Sequence, residues 1–127
     1  MRTFSSYMTV FIGAGLGGLL RHGVNRAAVQ AGTTFPWHTL AVNVTGSFAI
    51  GLLAGWFAFR GESAQTLQLF LVTGLLGGYT TFSAFSLETL LLWERGHGWD
   101  AVFYVACSVA LSLAAAAMGL VIIRRLG

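Results

Sequence analysis

GLLGGYTTFSAFSLE, residues 74–88, lies inside an otherwise hydrophobic segment, yet it holds five hydroxyls, three glycines, two phenylalanines and a carboxylate. Gly77 and Gly78 are adjacent, and each costs a helix interior about 1 kcal/mol relative to alanine. Thr80 and Thr81 follow, with hydroxyls that compete for backbone hydrogen bonds. The stretch therefore predicts a helix broken near its middle. A break at membrane depth frees carbonyls and amides that cost several kcal/mol unless protein, water or an ion satisfies them. Freed carbonyls make a ready cation site. The alternative is a continuous, kinked helix whose serines and threonines bond back to their own turn.

Working outward, the whole chain is apolar. Of 127 residues 56% are hydrophobic and only 9% charged, against about 25% charged in an ordinary soluble domain, and the mean hydropathy is +0.76. Apolar runs long enough to cross a bilayer recur along the length, at about Tyr7–Val29, Trp37–Phe59, Thr66–Trp93 and Ala101–Ile123. The separators are short and rich in glycine, proline and charge, so residues 1–127 read as a single four-helix transmembrane domain built of two antiparallel hairpins. The glycines interrupting the first run argue against a cleaved leader.

The seven basic residues are all arginine. Four spans put Arg2, Arg60, Arg124 and Arg125 on one side and Arg21, Arg26 and Arg95 on the other, so the usual orientation signal nearly vanishes. Such a chain can insert both ways and pair as an antiparallel homodimer. If Arg21 lies too deep to count, a weak bias instead sets one orientation. Gly13 and Gly17, Gly51 and Gly55, and Gly74 and Gly78 are spaced to bring helix backbones close. Some of these faces are expected to pack within the subunit and others to serve the homodimer.

Candidate chemistry lies on three faces. Phe82, Phe85 and Glu88 share one side of the second half of the third span. Ring edges are positive and can hold a small anion, although core packing is the ordinary use of two such phenylalanines. Thr39, Asn43 and Ser47 draw a polar line down the second span, and Asn43 brings two amide donors to membrane depth. Tyr104, Ser108 and Ser112 repeat in the same way on the fourth span, and the two lines suggest a wet, donor-rich path, although serines bonding their own helix would explain the fourth span almost as well. Arg21 gathers anions at a vestibule or snorkels to the surface. Glu88 would repel an anion unless held away, paired or protonated.

Other classes are excluded. Cys107 is alone and structural, His22, His38 and His97 are scattered without metal-ligand spacing, and the arginines form no run that tracks nucleic acid. No catalytic constellation is present, so an enzyme is not expected. A dual-topology proton-coupled exporter of organic cations needs a membrane-buried carboxylate, for which Glu88 is the one candidate. A non-transporting membrane scaffold needs none of the polar lines.

GLLGGYTTFSAFSLE resembles the GGxTTFSTFSxE signature of the CrcB/Fluc fluoride-channel family, and TLAVNVTGS, residues 39–47, resembles its TLxVN motif. Gly13, Gly15, Gly18 and Arg21 follow its early glycine-arginine pattern with slightly different spacing. The likeness spans nearly the full chain. It implies a fluoride-selective passive channel in the bacterial inner membrane, formed by an antiparallel dual-topology homodimer with two pores and a central sodium. The sodium would take backbone carbonyls of Gly77 and Thr80. Phe82, Phe85 and Asn43 would line the fluoride path, Thr39, Tyr104, Ser108, Ser112 and Glu88 would lie on or near it, and Arg21 would stand in the vestibule. Ala84 and Ala116 depart from the pattern, each removing a hydroxyl.

Overall fold

The computed structural model describes residues 2–32 and 34–127, so Thr33 of the first separator lies outside the described residues. The described residues are helical with no strand, and four helices are long and apolar enough to cross a membrane. α1 (Thr3–Ala31) is the first. It stops at Gly32, whose left-handed φ of 72° turns its N–H back onto the carbonyls of Ala28 and Val29. α2 (Trp37–Phe57) starts directly after Pro36.

The third span, Gly61–Glu94, is irregular. A 3₁₀ turn (Gly61–Ala64) leads into α3 (Gln65–Gln68), then a π-helical stretch (Leu69–Leu76), α4 (Gly77–Tyr79) and α5 (Ser83–Glu94). Residues 80–82 leave the helix, with Thr80 extended at φ −83°, ψ 158°. The predicted break is therefore confined to three residues, and the span bends by only 17°. Helical pairing runs up to both edges, where Thr80 N–H donates to Leu76 O and Ser86 N–H to Phe82 O. The π stretch was not legible in the sequence; wide turns of this kind recur at functional sites.

α5 ends in a Schellman turn. Gly96, at φ 84°, donates to Trp93 O, and His97 N–H reaches Leu92 O at 2.8 Å. α6 (Gly98–Leu126) completes the chain. Trp37, Trp93 and Trp99 all stand at the same end of the bundle and are more than half exposed, as side chains of an interfacial belt are.

Packing departs from the expected sequential hairpins. α1 lies chiefly against the third span, and α2 chiefly against α6. The glycine faces explain this. A Cβ on Gly17 would collide with Leu75 O, and one on Gly78 with Ala14 O. On the other pair, a Cβ on Gly51 would collide with Ala116 O, and one on Gly119 would stand 2.5 Å from Phe48 O. All three predicted glycine pairs are thus spent within the chain, and none is left for contact between copies. The small buried core of Leu40, Leu92, Ala101 and Tyr104 sits where α2, α5 and α6 meet, with Phe35, Val44, Phe85 and the half-buried Cys107 around it.

Candidate functional site

The interrupted segment is held open from α2. Asn43 donates from Nδ2 to Thr81 O at 2.9 Å and accepts Thr81 N–H on Oδ1 at 2.9 Å. The side-chain amide replaces both partners that an unbroken helix would give Thr81. Thr81 Oγ1 in turn accepts Ala84 N–H at 3.2 Å, in the first turn of α5. From α1, Arg21 Nε donates to Gly78 O at 3.2 Å.

These diversions decide which carbonyls are left over. An α-helix would pair Thr81 N–H with Gly77 O and Ala84 N–H with Thr80 O. Both amides are instead drawn to side chains, on Asn43 and Thr81. Gly77 O and Thr80 O therefore lose their helical donors. Back-bonding also occurs, as the kinked-helix alternative anticipated: the hydroxyls of Thr80, Ser86 and Thr89 donate to Leu76 O, Phe82 O and Phe85 O.

Beside this segment lies a cleft of about 480 Å³ that takes in Asn43, Gly77, Thr80, Phe82, Phe85, Ser108 and Ser112. Among the described residues no charged one lines it. One N–H of the Asn43 amide is engaged, which leaves a second donor. Ser108 is 6% exposed, and its Oγ has no hydrogen-bond partner among the described residues, so it does not bond its own helix. The rings of Phe82 and Phe85 stand 5.5 Å apart at 50°. Phe82 is 77% exposed, leaving the cleft open along that flank, whereas Phe85 packs 5.1 Å from the Tyr104 ring.

One turn nearer the tryptophan belt lies a second group, centred on Glu88. Tyr104 OH donates to Oε1 at 3.0 Å, and Thr39 Oγ1 donates to Oε2 at 3.0 Å. His38 Nε2 stands 2.9 Å from the same Oε2. Of the sequence-predicted residues, the structure thus brings Asn43, Phe82, Phe85, Ser108, Ser112, Gly77 and Thr80 to the cleft. It gathers Thr39, Tyr104 and Glu88 one turn away, joined to the cleft through Phe85. Arg21 stands apart from both, against the interrupted backbone. His38 was missed: the sequence showed it only as a scattered histidine, and nothing in its spacing reveals a carboxylate 50 residues on.

The helices and interrupted third span describe a membrane protein with a largely apolar cleft in which a few amide and hydroxyl groups are set. The CrcB-like family (Camphor Resistance, CrcB) matches residues 8–120, and the chain belongs to that family. A fluoride-specific ion channel FluC of Methylobacterium nodulans is 55% identical over 120 residues, covering 94% of this chain and 97% of that protein. The FluC of Rhodopseudomonas palustris is 53% identical over 120 residues, with the same coverage, and that of Rhizobium etli 48% over 118, covering 92% and 94%. The relatives are ion channels and not enzymes, and the chain is a multi-pass protein of the bacterial inner membrane.

Proposed function

We propose that this protein is a passive, fluoride-selective channel that lets cytoplasmic fluoride leave down its electrochemical gradient. Fluoride enters cells as the neutral acid HF and is trapped as the anion in a less acidic cytoplasm, so a passive exit lowers its level without fuel. The observation that carries this reading is the character of the cleft. A few amide and hydroxyl donors are set in a wall that is otherwise aliphatic and aromatic, and among the described residues no charged one lines it. A small, strongly hydrogen-bonding anion gains more from such a wall than chloride does. The names of the close relatives support the same ion. The cation-exporter alternative finds less support, because the Glu88 carboxylate is already engaged by three groups.

Two copies in opposite orientation would form two pores, one along each open cleft. The nearly balanced arginines support dual insertion. The exposed flank at Phe82 supports a second chain that covers it. A central sodium fits the carbonyls of Gly77 and Thr80, since both have lost their amides and hard cations take oxygen ligands. One copy offers two such oxygens; an opposed copy would double the set. Bound there, sodium would satisfy backbone oxygens that lipid cannot.

The test is efflux from liposomes holding the purified protein, loaded with fluoride or with chloride, with a potassium ionophore carrying the counter-charge. Rapid loss of fluoride without chloride is the expected result. Retention of fluoride by vesicles containing folded protein overturns the proposal.

A further inference from the structure

We infer that His38 belongs to the conduction path and offsets the charge of Glu88 at one mouth of the cleft, so that fluoride passes faster when the imidazole is protonated. The inference rests on the channel reading above. Its observation is the 2.9 Å approach of His38 Nε2 to Glu88 Oε2, with both side chains partly exposed, at 24% and 21%. The pair stands between the tryptophan end of the bundle and the Phe85–Tyr104 contact that leads to the cleft.

The surroundings make the charge state of this pair matter. α5 contributes Glu88 itself, α2 contributes His38 and Thr39, and α6 contributes Tyr104, whose hydroxyl is already given to the carboxylate. Toward the same end lie Arg21, His22 and Arg26 on α1, and Glu94, Arg95, His97 and Asp100 around the α5–α6 turn, where His97 and Asp100 meet at 3.7 Å about one turn before Tyr104. Among the described residues no arginine forms an ion pair with Glu88. Among the described residues the one basic group within ion-pair distance of Glu88 is therefore the imidazole of His38, the side-chain type that serves as a switch near physiological pH. Imidazolium beside carboxylate presents a neutral pair to an approaching anion. Neutral imidazole leaves a net negative mouth, and a like charge at the entrance depletes the anion there.

The measurement is fluoride efflux from liposomes in symmetric buffers from about pH 6 to about pH 8, a range chosen to span imidazole ionisation, with leak from protein-free vesicles subtracted. Wild-type flux is expected to fall about threefold or more across that range, the scale of an uncompensated mouth charge. His38→Gln, which keeps an N–H donor but never charges, should give a flat profile. His38→Lys should hold the acid-level flux at the alkaline end. Glu88→Gln, which removes the charge to be offset, should also flatten the profile, and it provides an independent variant should His38→Gln fail to fold. A wild-type flux that is robust but independent of pH, or a His38→Gln profile parallel to wild type, overturns the role of His38 and leaves the channel reading standing. Absence of wild-type fluoride flux at every pH overturns the channel reading and this inference with it.

Discussion

Asn43 and Thr81 are joined by two reciprocal hydrogen bonds of 2.9 Å, so that a side-chain amide on one helix completes the backbone of another. The arrangement solves a problem peculiar to membranes. A helix can be opened at depth only if something other than water pairs the released groups. Asn43 pairs both groups of Thr81, and the cost of the opening is left on Gly77 O and Thr80 O, which lose their helical donors.

Asn43→Leu follows directly. The substitution removes a donor from the cleft at little cost in bulk, so conduction should fall. The structure assigns it a second effect. Thr81 N–H and O, both partly buried, would lose their partners, at about 1 kcal/mol or more for each group left unpaired. The variant should unfold at lower temperature in detergent and pass less than a tenth of the wild-type fluoride. Wild-type thermal stability would show that the interruption is held by something else.

How far the sequence carried can be judged from the same two residues. Hydropathy placed all four spans, and a repeat of four put Thr39, Asn43 and Ser47 on one face of α2. Periodicity reports which face a residue occupies and is silent about which helix that face meets. The partner of Asn43, the pairing of α1 with the third span and the approach of His38 to Glu88 were invisible for that reason. Glycine spacing marked the close contacts correctly, but it could not divide them between one chain and two. The π-helical stretch left no trace, because Leu69–Leu76 is uniformly apolar around Thr73 and Gly74.

The two phenylalanines should separate by stability and agree in function. Phe82 is largely exposed, so Phe82→Ile should cost little stability and still lower fluoride efflux at least tenfold if ring edges guide the ion. Phe85 touches the Tyr104 ring and the buried core, so Phe85→Ile should lose both flux and about 1 kcal/mol of packing. Efflux assays beside thermal melts distinguish the two. Wild-type flux in Phe82→Ile removes the aromatic rings from the mechanism.

Ser108→Ala should move activity and stability in opposite directions. Its Oγ is buried without a partner, a desolvation cost the folded chain carries for no structural return. Removing it should leave stability unchanged or raise it by about 1 kcal/mol, while fluoride efflux falls several-fold through loss of a donor in the cleft. A variant with full flux would make Ser108 a packing residue only.

Exchange of sodium tests the freed carbonyls. Dialysis of the detergent-solubilised protein into a large organic cation that cannot enter a ring of carbonyls should lower both the melting temperature and the fraction of dimer seen by light scattering. Sodium returned at millimolar level should restore both. Equal stability in the two salts would leave Gly77 O and Thr80 O to water.

Two glycines on α1 test the packing on which the site rests. Gly15 and Gly17 are two residues apart and identical in composition, and they differ in what a methyl group would meet. At Gly15 there is nothing within 4 Å. At Gly17 the methyl would run into Leu75 O and stand 2.8 Å from Tyr79 N, both backbone atoms of the third span that no rotamer change can move aside. Gly15→Ala should therefore be tolerated and gain up to about 1 kcal/mol from helix propensity. Gly17→Ala should force α1 away from the segment just before the interruption, and with it Arg21 from Gly78 O, so folded yield and fluoride efflux should fall together. Comparing monodisperse yield of the two variants decides the matter. If Gly17→Ala matches Gly15→Ala, the close approach of α1 to the third span is not what positions the site.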